Sequence, residues 1–145
     1  MPGIGIISNP FSKANKRDPN RPELLGYILG KQGQLAVTRS LDHLSEVAHN
    51  FKDSDVEILA INGGDGTVSQ TLTAFSRAYG DHPLPKIVVL RGGTMNVLAN
   101  NLGIRGSSER LLYQLVEGYS AGKTFQTISI RALNVDGMLG FLFAD

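Results

Sequence analysis

The chain has 145 residues, the size of one ordinary domain, and 41% of them are hydrophobic, which excludes a disordered polypeptide. Its 14 basic residues nearly cancel its 13 acidic residues, so no strong positive field attracts nucleic acid, and we expect no nucleic-acid partner. The absence of cysteine excludes disulfides, a thiol nucleophile and a cysteine zinc site, and favours a reducing, cytoplasmic location.

The first third of the chain alternates predicted strands and helices. Apolar, β-branched runs that turn residues end predict strands, and apolar residues at spacings of three and four predict helices. In chain order we expect a strand over 3–8, an exposed mobile loop over 11–21, a helix over 23–32, a strand over 34–38 and a helix over 41–51 with Ser40 as its N-cap.

The middle of the chain repeats this alternation with two glycine-rich interruptions. We expect a strand over 56–61, a glycine break over 62–66, a helix over 67–79, a strand over 86–90, a second glycine break over 91–94, a helix over 95–102 and a helix capped by Ser107 or Ser108. Strands that alternate with helices are typical of an α/β layered fold, in which helices flank a mainly parallel sheet. The run 56–61 is almost continuously apolar, which predicts a strand covered on both faces of that sheet.

The pattern changes after Gly122. The runs 125–135 and 138–143 are strand-like, and Asp136-Gly137 between them is a strong hairpin signal. We therefore expect an α/β domain over residues 1–122 and, over 123–145, the start of a truncated β-rich second domain.

Glycine is the one residue type out of proportion, at 17 of 145 residues, about 12% against roughly 7% on average. Both glycine breaks follow a predicted strand and open a helix, which is where open α/β sheets bind ligands. Glycine lets backbone N–H groups approach phosphate oxygens, and a helix N-terminus adds positive charge, so the breaks predict phosphate binding. The alternative is that Gly63, Gly64 and Gly66 only form a tight turn. A positive φ at Gly64 or Gly66 would make alanine there cost more than ~1 kcal/mol.

Asp65 is the unusual member of the first break, because its carboxylate would repel phosphate unless a divalent cation, a lysine or a sugar hydroxyl offsets the charge. We favour a role that faces the ligand over the alternative, a turn residue bonded to its own backbone. The segment Gly118 to Thr124 is not a Walker A loop, because it has three residues where that loop needs four.

The segment Asn62-Gly-Gly-Asp-Gly-Thr67 resembles the glycine-rich loop of the diacylglycerol kinase catalytic domain family, which includes sphingosine kinases and related bacterial lipid kinases. Three further elements are similar to that family in the same order: Ser8-Asn9-Pro10, Thr38, and residues 89–104 with Gly93-Thr94-Met-Asn96. One departure is Arg91, which stands at a position where the family usually has proline.

The resemblance implies a fold like that of NAD kinase and phosphofructokinase, with ATP in a cleft between two domains, Mg²⁺, and transfer of the γ-phosphoryl group to a lipid hydroxyl, such as that of diacylglycerol or a sphingoid base. Asp65 is the catalytic candidate that it implies. The nucleotide-site residues that it implies are Asn9, Thr38, Gly63, Gly64, Asp65, Gly66, Thr67, Gly93, Thr94 and Asn96. The family's general base and metal ligands are expected beyond residue 145, so this chain alone is expected to be inactive. Peripheral contact with the inner membrane surface and a homo-oligomer are compatible with the resemblance.

Two other functions stay open. An NAD kinase-like enzyme shares the Gly-Gly-Asp-Gly loop, although Gly93-Thr94-Met-Asn96 favours the lipid kinases. A non-catalytic regulatory module could bind the nucleotide without transferring phosphate. The basic run of Lys13, Lys16, Arg17 and Arg21 is either an ordinary solvated loop or a surface that attracts ATP or anionic lipid.

Overall fold

A computed structural model describes residues 3–92 and 102–140 of the chain. Its helices and strands are, in order, β1 Ile4–Ser8, α1 Lys13–Arg17, α2 Arg21–Leu29, a 3₁₀ turn Gly30–Gln32, β2 Gly33–Val37, α3 Leu41–Asp53, β3 Ile58–Asn62, α4 Asp65–Tyr79, β4 Lys86–Val89, α5 Ser108–Ser120, β5 Leu133–Val135 and β6 Met138–Gly140. None of the helices in this part of the chain is long and apolar enough to span a membrane.

The first four strands form one parallel sheet in the order β2-β1-β3-β4. Ser8, the last residue of β1, pairs with Val37 and Asn62, the last residues of its two neighbours. Ile61 pairs with Val89 in the same register. The carboxyl ends of all four strands therefore lie along one edge of the sheet, and the α/β fold expected from the sequence is confirmed.

Helices cover the sheet on both faces. Alternate residues of each strand point to opposite sides, so Ile4 and Ile6 pack with α2 and α5, whereas Ile7 packs with α3 and α4. The strands β1 and β3 are buried at every position, as the continuous apolar run of β3 predicted. Gly5 lies directly beneath the ring of Phe51, and a Cβ there would overlap that ring, so this glycine serves packing.

Several helix boundaries follow from local capping. Ser40 accepts a hydrogen bond from the His43 N–H at 3.1 Å, as expected for an N-cap. Of the two serines considered for α5, Ser107 is the N-cap and accepts from the Arg110 N–H at 3.2 Å. Ser108 is free for another role and is buried.

Two expectations about local structure were wrong. Residues 11–21 are not simply an exposed loop, because Lys13–Arg17 forms α1 and Asn15 is only 3% exposed. The strand expected over 125–135 is confined to Leu133–Val135, which pairs with β6. The helix expected over 95–102 lies almost wholly outside the described residues, as does the end of the run 138–143.

The predicted hairpin is present. Asp136 and Gly137 both have positive φ, +51° and +84°, the combination that a tight two-residue hairpin turn requires. The hairpin packs on α4, where the Thr73 Oγ1 accepts a hydrogen bond from the Leu139 N–H at 2.9 Å and Ser69 bonds the Leu139 carbonyl. The chain thus ends its described part with an antiparallel pair beside the parallel sheet.

Candidate functional site

The first glycine break forms the N-terminus of α4. Gly64 is the N-cap, and the first backbone bond of the helix runs from the Val68 N–H to the Gly64 carbonyl at 3.1 Å. The N–H groups of Gly66 and Thr67 precede that bond and have no acceptor within the helix. Since the helix has 15 residues, its dipole adds partial positive charge at the same point. This end of α4 is therefore suited to an anion.

The glycines of this break differ in the space that a Cβ atom would have at each of them. Gly64 has φ −86° and Gly66 is also outside the positive-φ region, so the strained backbone considered from the sequence is absent. A Cβ at Gly63 would overlap the side chain of Thr67, whereas a Cβ at Gly66 would meet no atom within 4 Å. Gly63 is thus required by packing, and Gly66 leaves open space above the first turn of α4.

Asn9 and Thr67 are 58 positions apart in sequence and are joined in the structure. The Asn9 Nδ2 donates to the Thr67 Oγ1 at 2.9 Å, and the Asn9 Oδ1 accepts from the Phe11 N–H at 2.9 Å. The loop after β1 is therefore fastened to the first turn of α4. Both residues were expected at the nucleotide site, and the fold brings them together.

The other expected site residues follow the neighbouring strands. Thr38 follows β2, is 8% exposed, and donates its N–H to the Ser8 carbonyl at 3.0 Å. Gly92 is the first glycine of the second break, and a Cβ on it would lie 2.6 Å from the Gly63 nitrogen, so the two breaks touch. Gly93, Thr94 and Asn96 lie outside the described residues.

A buried polar cluster beneath the two breaks was missed by sequence reasoning. Its centre is Asn62, which is fully buried and donates from its Nδ2 to the Ser8 Oγ at 3.1 Å and to the Asn15 Oδ1 at 3.2 Å. The Asn62 Oδ1 accepts from the Ser108 Oγ at 3.2 Å. The one available signal was an Asn at the end of an apolar strand. Ser108 had been considered only as a helix N-cap, and nothing in the sequence marked Asn15.

Some charged side chains near this edge bond to other elements of the fold, and others are exposed to solvent. The Arg21 Nε lies 3.0 Å from the Glu109 Oε1, so Arg21 connects α2 to α5 and does not belong to a free basic run. Lys13, Lys16 and Arg17 remain exposed on α1. The guanidinium of Arg91 donates to the Ile104 carbonyl at 3.2 Å.

The backbone at Arg91 explains its departure from the usual proline. Its φ is +59°, in the left-handed region, whereas the ring of proline fixes φ near −65°. A proline could not adopt this conformation. The backbone that leads into the second break of this chain therefore differs from one that carries proline there.

Groups with shifted pKa values lie away from the glycine breaks. Burial, with a smaller contribution from the Asp55 carboxylate, raises the pKa of Tyr79 at the far end of α4. Burial and the Glu57 carboxylate raise the pKa of Tyr119 near the far end of α5. Within residues 3–92 and 102–140, no three His, Asp or Glu side chains are grouped closely enough to hold a metal ion by themselves.

A cavity of about 720 Å³ lies at the opposite edge of the sheet, where β3 and β4 begin. Its walls include Glu57, Lys86, Tyr119 and Phe125. A five-residue strand is roughly 17 Å long, so this cavity is separate from the glycine breaks.

The fold and these loops define an open, parallel α/β domain with glycine-rich connections along the carboxyl edge of its sheet. The model of the diacylglycerol kinase catalytic domain matches residues 4–126, and the chain belongs to this family. No curated protein matches the chain.

Solved structures agree with the fold. A diacylglycerol kinase structure from Bacillus anthracis str. Sterne is similar at a TM-score of 0.60 and 18% sequence identity, over 79% of this chain and 42% of that one. Two structures of a provisionally assigned diacylglycerol kinase from the same strain give TM-scores of 0.60 and 0.59, also at 18% identity and over 79% of this chain. They are covered to 42% and 41% of their own length, so this chain spans about two-fifths of these proteins.

Proposed function

We propose that this chain is the nucleotide-binding part of an ATP-dependent lipid kinase, which transfers the γ-phosphoryl group of ATP to a lipid hydroxyl. The observation that carries the proposal is the meeting of Asn9, Thr67 and the two glycine breaks at one edge of a parallel sheet. Membership of the diacylglycerol kinase catalytic domain family supports the kinase class and a lipid acceptor.

The N–H groups at the start of α4 would bind phosphate oxygens, and the Thr67 hydroxyl, held by Asn9, would add a donor. Asp65, the first residue of α4, would contribute a carboxylate oxygen to Mg²⁺. Mg²⁺ in such sites is held by one or two carboxylates together with substrate phosphates and water, so a single carboxylate in the loop fits it. When bound with ATP, Mg²⁺ neutralises charge that develops on the phosphates. Gly93, Thr94 and Asn96 would complete the site.

We further propose the division expected from the sequence, with a nucleotide-binding unit over 1–122 and the start of a β-rich unit over 123–145. The hairpin forms a two-stranded sheet of its own, separate from the parallel sheet, and this supports the division. Exposed Phe11, Lys13, Lys16 and Arg17 supply the apolar and basic groups that peripheral contact with an anionic membrane would use.

A nucleotide-binding module without phosphoryl transfer is the second candidate. It is supported by the described residues, which provide an edge suited to phosphate but no three acidic or histidine side chains close enough to hold a metal ion by themselves. Phosphoryl transfer requires a metal ion and a general base in addition to bound ATP.

Binding is tested by following the amide resonances of residues 63–67 during titration with MgATP. We expect shifts confined to the carboxyl edge of the sheet and weak affinity. Thr67→Val should reduce the affinity, and Thr67→Ser, which keeps the hydroxyl, should retain it. Unshifted resonances at millimolar nucleotide, from a folded sample, would contradict the proposal.

Transfer is tested with radiolabelled ATP, Mg²⁺ and mixed micelles that contain diacylglycerol or sphingosine. We expect no turnover from the 145-residue chain. Turnover near ~1 s⁻¹, within the usual range of kinases, would overturn the division into two units, because the base and metal ligands would then lie within these residues.

A further inference from the structure

Asn15 is an unusual residue for its position. It lies in the five-residue helix α1, where Lys13, Lys16 and Arg17 are exposed, yet Asn15 itself is 3% exposed. Its Nδ2 donates to the Asn9 carbonyl at 2.7 Å and to the Asn62 carbonyl at 3.2 Å, and its Oδ1 accepts from the Asn62 Nδ2. One carboxamide thus connects the loop after β1 to the last residue of β3.

Asn62 contacts the second glycine break as well as Asn15. It directly precedes Gly63, and a Cβ on Gly92 would overlap its Oδ1. The Ser108 Oγ bonds both the Asn62 Oδ1 and the Leu90 carbonyl, so the start of α5 fixes the same group from the other side. The loop after β1 is itself tied to the second break, since the Ser12 Oγ donates to the Gly92 carbonyl at 2.8 Å.

Buried carboxamides and hydroxyls are costly unless every partner is in place, and apolar residues would fill the same space without that requirement. A cluster in which Asn15 and Ser108 each bond the Asn62 carboxamide therefore fixes geometry more narrowly than an apolar core would. The geometry that it fixes is the separation between Gly63 in the first break and Gly92 in the second. Loops that are already fixed bind a ligand more tightly, because they lose less conformational entropy on binding.

We propose that Asn15 is a positioning residue: through Asn62 it holds the two glycine breaks at the spacing that a nucleotide polyphosphate requires, and Ser108 acts as its counterpart from α5. The inference rests on the proposed nucleotide site, but the contacts that it describes exist without the ligand. Helix α1 is then part of the site through Asn15, which was not expected there.

The test compares Asn15→Ala with Asn20→Ala in the 145-residue chain. Asn20 is the exposed N-cap of α2 and makes no side-chain capping bond, so it is a matched control five positions away. Amide hydrogen exchange is measured first without nucleotide. In Asn15→Ala we expect faster exchange of the Asn9, Val68 and Leu90 amides, whose N–H groups bond carbonyls beside the two breaks, with the amides of Leu59 and Ile61 unchanged. MgATP affinity should fall about tenfold or more, while Asn20→Ala matches the parent chain.

Ser108→Ala provides a second variant if Asn15→Ala does not fold, because it removes only the bonds on the α5 side. We expect the same selective change at the Leu90 amide, which bonds the Ile61 carbonyl beside the second break. Unchanged exchange at both breaks, or a uniform increase through the whole sheet, would overturn the proposal, since the second result is that of a merely structural residue. If the parent chain does not bind MgATP, the proposed function fails, and the exchange comparison still decides whether Asn15 positions the breaks.

Discussion

Replacing Gly63 by alanine tests whether the first glycine break is shaped by packing. The new Cβ would lie 2.5 Å from the Thr67 Cγ2 and still closer to other Thr67 atoms. Thr67 cannot withdraw, because its Oγ1 is bonded to Asn9 and its backbone is in the first turn of α4. Overpacking of this kind costs about 1–3 kcal/mol. In a chain of this size, that corresponds to a melting temperature lower by roughly 3–12 °C.

Gly66→Ala is the matched control, since the same methyl group enters open space three residues along the chain. Its backbone is helical, where alanine is favoured over glycine by up to ~1 kcal/mol, so its melting temperature should stay equal or rise. Thermal unfolding followed by circular dichroism measures both variants. Equal melting temperatures for Gly63→Ala and Gly66→Ala would refute the conclusion that Thr67 closes the space above Gly63.

The control also separates stability from binding. If phosphate approaches the first turn of α4, the methyl group of Gly66→Ala should weaken MgATP binding even though the fold is at least as stable. Calorimetric titration of the folded variant measures this. Normal affinity would mean that the open space above Gly66 is not used by the ligand.

Two further predictions concern the side chains around α4. The raised pKa of Tyr79 means that the unfolded chain loses this proton near pH 10 while the folded chain keeps it, so stability should fall as pH rises above 10. Tyr79→Phe should lessen that fall in urea unfolding between about pH 9 and 11; an identical pH dependence would contradict the assignment. Thr73→Val removes the acceptor of the Leu139 N–H, so we expect faster exchange of that amide at a cost of about 1–2 kcal/mol. Unchanged exchange would show that other contacts hold the hairpin.

The sequence by itself determined the features that depend on neighbouring residues. The apolar run before Asn62 specified a strand covered on both faces, Ser40 specified the start of a helix, and Asp136-Gly137 specified a hairpin turn. Each of these signals is local, because hydrophobic periodicity, capping and turn conformation are set within a few residues. The alternation of these elements was enough to predict the α/β class and its parallel sheet.

Elements without a strong local signal were predicted less well. Helix α1 is too short to show a helical period, and its burial comes from the partners of Asn15 on other elements. The run 125–135 has strand-like composition, but a strand also needs a neighbour, and in the described part of the chain only Leu133–Val135 pairs with β6.

Only the tertiary structure decided how the candidate site is assembled. The sequence motif suggested that Asn9 and Thr67 serve one site, but their hydrogen bond exists because β1 and β3 are adjacent and end in register. The packing of Gly63 against Thr67, and the burial of Asn15, Asn62 and Ser108 as one cluster, likewise depend on residues that are distant in sequence. Such contacts carry no local pattern, because the partner that satisfies each polar group is supplied by another strand or helix of the fold.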